Sequence, residues 1–274
     1  LAARDQFRGH PRVSMIFAPH APYTVADDSF REIRLLANEL DTQIHMHVHE
    51  TASEISASQK RHARRPLQRL DELGLLTPLL AAVHMTQLTA GEIPLLASRG
   101  VSVVHCPESN LKLASGFCPI ADLAAAGINI ALGTDGASSN NDLDMFGEMR
   151  SCALLAKGVA QRADAAPAAT VLGMATLNGA KALGLGDRIG SLVTGKEADV
   201  ICVDLSAAAT QPVYDPVSQL VYATSRDQVS DVWVAGRQLL ADHQPLVADA
   251  PAILARAESW RARLSAARGS VAHD

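Results

Sequence analysis

The sequence predicts an α/β fold in which parallel strands alternate with helices, as in a (β/α)8 TIM barrel. Two observations favour this fold. In the first two-thirds of the chain, short apolar segments of strand length alternate with segments whose apolar residues recur at helical spacing. Polar residues follow directly after these strands. A barrel brings the strand ends to one point, whereas an open sheet spreads them by about 4.8 Å per strand, so the barrel is favoured.

Five strands are predicted from the apolar segments, at residues 15–18, 43–49, 80–84, 101–106 and 128–133. Helices are predicted between and after them, at residues 29–40, 66–73, 89–98, 120–126 and 143–158. In the first helix, Phe30, Ile33 and Leu36 recur at helical spacing, and Asp27 or Asp28 can cap its start. Repeated units of this length indicate a parallel sheet with helices outside it.

The alternation of strands and helices ends after residue 166. A helix over 168–183 leads to Gly184, and short strands follow at residues 189–192, 198–204 and 229–234. Because helices do not separate these strands in the β/α manner, they indicate part of a small β-sandwich domain. A last helix is predicted over 251–268. We therefore expect three parts, with the bounds 1–184, 185–248 and 249–274.

Composition limits the class of protein. The chain has 274 residues, of which 48% are hydrophobic and 19% charged, which is typical of a globular protein. A net charge of −5 gives a nucleic-acid partner no electrostatic support, and the apolar runs are shorter than the ~20 residues that a membrane span needs. The four cysteines form no CxxC pair, so we expect free thiols in a reducing compartment, the cytoplasm.

The segment 43–50 is rich in histidine. His45, His47 and His49 occupy every second position, so on a strand all three side chains would point to one face, with Glu50 at the end. Imidazoles grouped with a carboxylate are typical of a metal site with a proton shuttle. The alternative is a strand whose histidines are hydrogen-bonded core or surface residues.

Further polar residues follow the other strands, and each has an ordinary structural explanation. His84 could be a structural histidine, Asp135 a turn residue before glycine, and His20 part of a rigid loop between prolines. Ser109 and Asn110 could cap a loop. Together with His47 and Glu50, however, they place two imidazoles and two carboxylates at the same end of successive strands. Such a set can hold Zn²⁺, lower the pKa of a bound water to about 7 and support hydrolysis.

Four motifs occur in a specific order along the chain: PHAPY at 19–23, HVHET at 47–51, AVH at 82–84 and LGTDGASSNN at 132–141. In that order they resemble the amidohydrolase superfamily, in its chlorohydrolase and cytosine-deaminase-like branch. The segments SNLKLASG at 109–116 and NNDLDMFGEMR at 140–150 are also similar to this group, as are 189–192 and 195–199 in the tail. The resemblance covers nearly the whole chain and implies a (β/α)8 barrel of the amidohydrolase type.

The resemblance implies roles for particular residues. His47 and Asp135 would bind one Zn²⁺, with Fe²⁺ as an alternative, and Asp135 would also take the proton of the attacking water. Glu50 would protonate the purine ring, and His84 would polarise the hydroxide. His20 and Ser139, together with Glu50 and Asp135, would contact the substrate.

The implied reaction is the hydrolytic deamination of an adenine nucleoside, 5′-methylthioadenosine or S-adenosylhomocysteine, to an inosine-type product and ammonia. The partner is then a small-molecule nucleoside. A homo-oligomer is a further possible assembly. The alternative within the family is a guanine or cytosine deaminase or an s-triazine chlorohydrolase. Glu50 favours an aromatic nitrogen heterocycle in each case, because its role is to protonate a ring nitrogen.

The sequence departs from the family pattern in one respect. The family carries a His-x-His pair on its first barrel strand, and no such pair precedes Met15 here. The five predicted strands match strands 4–8 of the eight, so we expect an N-terminally truncated chain. With His47 and Asp135 alone, the site would have two ligands, below the three protein ligands usual for catalytic zinc. We therefore expect weak zinc binding and no deaminase activity. An inactive fragment is the competing hypothesis.

Overall fold

The computed structural model describes residues 1–271, with side chains described to residue 266. The chain divides into two compact units. The larger unit contains residues 1–196 and 205–226, and the smaller one contains residues 197–204 and the chain from 227 onward. The residues with predicted chemistry all belong to the larger unit.

The larger unit is built on a parallel four-stranded sheet. Its strands are β1 (Ile44–Val48), β2 (Leu80–His84), β3 (Ser102–His105) and β4 (Ile130–Leu132). They pair in the order β1-β2-β3-β4, so neighbours in sequence are also neighbours in the sheet. This order is that of consecutive strands in a (β/α)8 barrel, and it confirms the predicted α/β class.

The first predicted strand, at 15–18, is reduced to one parallel bridge between Phe17 and Ile44. Phe17 N–H donates to the Gln43 carbonyl at 3.0 Å, and His45 N–H donates to the Phe17 carbonyl at 2.8 Å. The segment therefore lies beside β1, where a preceding barrel strand belongs. Pro19 lacks an N–H group, which limits further pairing along the chain.

The larger unit also contains eleven α-helices among the residues that the structure describes. They are α1 (Ala2–Gln6), α2 (Asp27–Leu40), α3 (Ala52–His62), α4 (Pro66–Glu72), α5 (Ile93–Arg99), α6 (Pro107–Lys112), α7 (Ile120–Ala125), α8 (Met145–Ala160), α9 (Ala168–Met174), α10 (Leu177–Ala182) and α11 (Pro216–Tyr222). The single helix predicted over 168–183 is divided into α9 and α10, because Thr176 has non-helical angles of φ −130° and ψ −97°.

The hydrophobic core lies between the sheet and the helices. In β1 the exposed fraction alternates, so that Ile44, Met46 and Val48 are buried while His45 and His47 are half-buried. Leucines and phenylalanine from the helices are also buried, among them Phe30, Leu67, Leu70, Leu96 and Leu123. The apolar face of β1 thus anchors the strand and leaves its histidines on the opposite face.

The smaller unit is an antiparallel meander. Its strands are β5 (Val200–Val203), β6 (Val229–Val234), β7 (Arg237–Ala241) and β8 (Gln244–Pro245), paired in chain order. Helix α12 (Ala250–Val271) belongs to the same unit by its contacts, so the separate third part expected at 249–274 is not a unit of its own. Residues 272–274 of that part lie outside the described residues.

The predicted start of the small domain at residue 185 also needs correction. Residues 189–192 form no strand but lie in a loop against α10, where a Cβ on Gly190 would come within 2.9 Å of the Leu177 Cα. Residues 205–226 likewise belong to the larger unit, because α11 packs on α8 and α9 with Val221 fully buried. Burial of this apolar side chain explains why the segment leaves the β-sheet unit.

All four cysteines are free thiols, and Cys106, Cys118 and Cys152 are buried. Burial raises the pKa of the Cys152 thiol to about 12 and also raises the pKa of Cys106 and Cys118. These thiols are therefore protonated and unreactive at neutral pH. Among residues 1–271, no helix combines the length and the apolarity needed to cross a membrane.

Candidate metal and active site

Three side chains that could hold a metal ion meet at the carboxyl ends of the strands. His47 lies near the end of β1, His84 ends β2, and Asp135 follows β4. One ligand atom from each side chain lies within 4.8 Å of the other two. His84 offers a third donor atom beside the predicted pair, His47 and Asp135. This chain therefore offers three protein ligands instead of the two expected.

The backbone leaves the strands in an uncommon conformation at these positions. His84 has φ 78° and Asp135 has φ 62°, and His49 after β1 has φ 55°. Residues other than glycine adopt this left-handed region only occasionally, and histidine and aspartate are among the types that do so most often. The exits of β1, β2 and β4 therefore share this conformation around the same cluster, whereas Cys106 after β3 has φ −121°.

The His47 ring is held from behind by the chain that precedes β1. Its Nδ1 lies 2.7 Å from the carbonyl oxygen of His20, to which a protonated Nδ1 donates. This contact fixes the tautomer and leaves Nε2 with a free lone pair. The ring stacks on His84 with centroids 5.3 Å apart and an interplanar angle of 19°.

The His84 ring is almost fully buried, with 1% of its surface exposed. Its Nδ1 lies 2.8 Å from Asn110 Oδ1, and its Nε2 lies 3.9 Å from Glu50 Oε2. Burial lowers the pKa of His84 below its ordinary value, against the raising effect of the Glu50 and Asp135 carboxylates. The imidazole is therefore neutral at pH 7, and Asn110 directs its proton to Nδ1.

The Asp135 carboxylate is held by two serine hydroxyl groups. Ser109 Oγ donates to Asp135 Oδ2 at 2.7 Å, and Ser139 Oγ donates to the same oxygen at 2.6 Å. Burial by itself would raise the pKa of Asp135, but the hydrogen bonds from Ser139 and Ser109 lower it below its ordinary value. Asp135 is thus ionised at neutral pH.

Glu50 lies beside His84 and is positioned through Glu54. The buried Glu54 carboxylate accepts the N–H of Glu50 at 2.8 Å and of His49 at 3.2 Å, while Thr51 Oγ1 accepts the Glu54 N–H at 3.2 Å. Ser115 Oγ contacts the Glu50 carboxylate at 3.4 Å. This arrangement leaves the Glu50 carboxylate part-exposed at the edge of the cluster.

His20 joins the cluster from the loop before β1. Its ring lies 5.1 Å from that of His47 and contacts Tyr23 edge to face at 5.8 Å. Its Nδ1 lies 3.1 Å from Thr24 Oγ1. The structure thus brings all six predicted site residues together, those being His20, His47, Glu50, His84, Asp135 and Ser139.

The predicted common face of three histidines is wrong for His49. The strand ends at Val48, and His49 has the left-handed conformation. Its Nε2 accepts the N–H of Leu67 at the start of α4 at 3.2 Å, and its ring is fully buried. Burial lowers the pKa of His49 to about 4, so it is a neutral structural residue.

Two residues that support the site, Asn110 and Glu54, are not predicted as such from the sequence. The sequence predicts Asn110 only as a loop residue and gives Glu54 no role. The pattern Thr51-x-x-Glu54 before a helix is a capping-box signature, so the sequence did contain a signal for Glu54. No local pattern marks Asn110 as the partner of His84, because the two lie 26 positions apart in sequence.

The parallel sheet and the donor cluster at its strand ends define a β/α-barrel domain of the amidohydrolase type. The model of the amidohydrolase family matches residues 2–239, and the chain belongs to this family. It is 53% identical over 268 residues to a 5-methylthioadenosine/S-adenosylhomocysteine deaminase of Teredinibacter turnerae, with 98% of this chain and 61% of that protein covered.

Two solved structures extend the comparison. An adenosine deaminase from Xanthomonas campestris with bound zinc matches with a TM-score of 0.95 and 57% identity, over 97% of this chain and 60% of the other. An atrazine chlorohydrolase from Arthrobacter aurescens complexed with zinc matches with a TM-score of 0.86 and 25% identity, over 94% and 58%. The chain thus spans about three-fifths of the length of these relatives.

Proposed function

We propose that the protein catalyses the zinc-dependent hydrolytic deamination of adenine nucleosides of the 5′-methylthioadenosine or S-adenosylhomocysteine kind. The observation that carries this proposal is the cluster of His47, His84 and Asp135, whose ligand atoms lie within 4.8 Å of one another beside the Glu50 carboxylate. The names of the deaminase relatives support the substrate class.

The donor set fits zinc. Two imidazole nitrogens and one carboxylate oxygen are ligands that Zn²⁺ prefers, and three protein ligands are usual in its catalytic sites. His84 and His47 each keep a free Nε2 because their Nδ1 atoms face Asn110 and the His20 carbonyl. Zinc held there would lower the pKa of a bound water and so supply a nucleophile at neutral pH.

The residues of the chain would handle the protons of the reaction. Asp135 is ionised and can accept a proton from the attacking water and pass it to the leaving ammonia. Glu50 is placed to donate a proton to a ring nitrogen, which makes the adjacent carbon more electrophilic. With its Nε2 lone pair bound to zinc and its Nδ1 facing Asn110, His84 would act as a ligand and would not also polarise the water, the role that the resemblance implied.

The surroundings would bind and orient the nucleoside. His20 offers an exposed ring next to His47, and Ser139 lies at the Asp135 carboxylate. We further propose that the protein works in the cytoplasm, because its buried cysteines are free thiols.

The test is ammonia release by the zinc-loaded chain with 5′-methylthioadenosine, S-adenosylhomocysteine and adenosine. We expect turnover that requires zinc and falls by at least about 1000-fold in Asp135→Asn, because the proton acceptor is lost. Guanine, cytosine and a chloro-s-triazine are the comparison substrates, because a chlorohydrolase is among the structural relatives. Faster turnover of any of these would overturn the nucleoside assignment.

The competing expectation is weak zinc binding without turnover, which follows if only His47 and Asp135 bind the metal. Stoichiometric zinc binding measured by calorimetry would favour the three-donor site, and Glu39→Gln, an exposed substitution on α2, is the control. Zinc bound in full with no ammonia from any substrate would contradict the proposed deaminase activity. Failure to bind zinc would instead favour the inactive fragment.

A further inference from the structure

A buried carboxyl group outside the proposed mechanism lies next to the segments that hold Asp135. Glu148, in the first turn of α8, is fully buried. Full burial of an acidic side chain is rare and costly unless its oxygens have specific partners. The burial of Glu148 therefore depends on its hydrogen-bond partners.

The two oxygens of Glu148 connect two segments that are distant in sequence. Oε2 accepts the backbone N–H of Glu108, in α6, at 3.2 Å. Oε1 accepts a hydrogen bond from Asn140 Nδ2, in the loop after β4, at 2.5 Å. The carboxyl group thus joins α6 to the loop that follows Asp135.

Each partner of Glu148 is the direct neighbour of a serine that binds Asp135. Glu108 precedes Ser109 and Asn140 follows Ser139, and both serine hydroxyl groups donate to Asp135 Oδ2. A shift of either segment would therefore move a hydroxyl group away from Asp135.

The orientation of the Asn140 side chain is fixed as well. Its Oδ1 accepts the N–H of Leu143 at 2.9 Å and the N–H of Asp142 at 3.3 Å. Rotating the amide would lose both contacts. Nδ2 is therefore directed at Glu148, and a replacement for Glu148 must present an acceptor at that place.

We propose that Glu148 is a positioning residue, which fixes Ser109 and Ser139 on Asp135 Oδ2 and so sets the orientation of the Asp135 carboxylate at the metal site. This inference rests on the proposed function, in which Asp135 is a zinc ligand. Residues that hold ligands in place typically affect metal affinity by about 10–100-fold. Because Glu148 acts on Asp135 only through the segments that carry Ser109 and Ser139, we expect an effect at the lower end of this range.

The experiment measures the zinc affinity of the full chain by calorimetric titration. Glu148→Gln keeps the size but presents an amide N–H₂ to one of two donors, so one connection is lost. We expect its zinc affinity to fall about 10-fold. The matched control is Ser151→Ala, which removes the contact of Ser151 with Glu108 Oε1 between the same two helices and leaves both Glu148 contacts intact.

A double-mutant cycle separates positioning from general destabilisation. In Asp135→Asn, adding Glu148→Gln should change zinc affinity by less than about 2-fold, because there is no longer an Asp135 carboxylate for Glu148 to orient. If Glu148→Gln does not fold, as judged by circular dichroism, Asn140→Ala tests the same connection from its other end.

The outcomes are distinct. Wild-type zinc affinity in folded Glu148→Gln, with affinity lost in Asp135→Asn, would overturn this inference and leave the proposed function standing. An unchanged affinity in Asp135→Asn, or absence of zinc binding by the wild-type chain, would overturn the metal site and this inference with it. Equal losses in Ser151→Ala and Glu148→Gln would assign the effect to helix packing and also overturn the inference.

Discussion

At the scale of the residue, burial has opposite consequences for neighbouring groups. It lowers the pKa of His84 and keeps that ring neutral, while serine hydroxyl groups outweigh burial at Asp135 and keep that carboxylate ionised. Both shifts provide free lone pairs at neutral pH. Two groups with opposed environments are typical of sites that perform acid–base chemistry.

Glu148 gives a prediction about stability and pH. Burial raises its pKa from 4.5 to about 8. Between these values the unfolded chain releases a proton that the folded chain retains, so stability falls as pH rises, by at most about 5 kcal/mol. We expect Glu148→Gln to lack this decrease. Urea unfolding at pH 5 and pH 8 measures it, with exposed Glu39→Gln as the control. Parallel pH dependence in wild type and Glu148→Gln would refute the assignment.

At the scale of the element, helix α4 holds the segment that carries His20. Arg69 in α4 is 6% exposed and donates to the carbonyls of Pro22 at 2.5 Å and Val25 at 3.2 Å, and its Nε donates to Asp27 Oδ1 at 2.9 Å. One guanidinium group thus connects α4 to the start of α2 and to the loop that precedes α2. The planar fork is what makes several simultaneous contacts feasible.

Arg69→Lys is therefore expected to destabilise the chain although it keeps the charge. Loss of two or more buried hydrogen bonds should cost about 2 kcal/mol in the free energy of unfolding. Arg99→Lys is the matched control, because Arg99 forms a partly exposed pair with Asp71 and should cost less than about 0.5 kcal/mol. Urea denaturation gives both values. Equal costs for the two substitutions would contradict the role of Arg69.

At the scale of the whole molecule, periodic signals were predictable and contacts across the sequence were not. The strands around His47, His84 and Asp135 follow from apolar segments, and motif order identified the family. The prediction for His49 is wrong because β1 ends at Val48, one residue before the end of the alternating histidine pattern in the sequence. The return of 205–226 to the larger unit depends on α11 packing against α8 and α9, which no local pattern specifies.

The location of the donor cluster predicts which part of the molecule responds to zinc. All three donors lie in the larger unit, so zinc should stabilise that unit by about 2.7 kcal/mol at 100 times the dissociation constant. Hydrogen exchange measured by mass spectrometry should slow in peptides that contain β1 and β2. Exchange in β6 and β7 should change little, because these strands belong to the smaller unit and contribute no donor. Asp135→Asn should remove the protection of β1 and β2, since a lost ligand weakens binding. Equal protection of both units by zinc, or protection that persists in Asp135→Asn, would place the metal elsewhere.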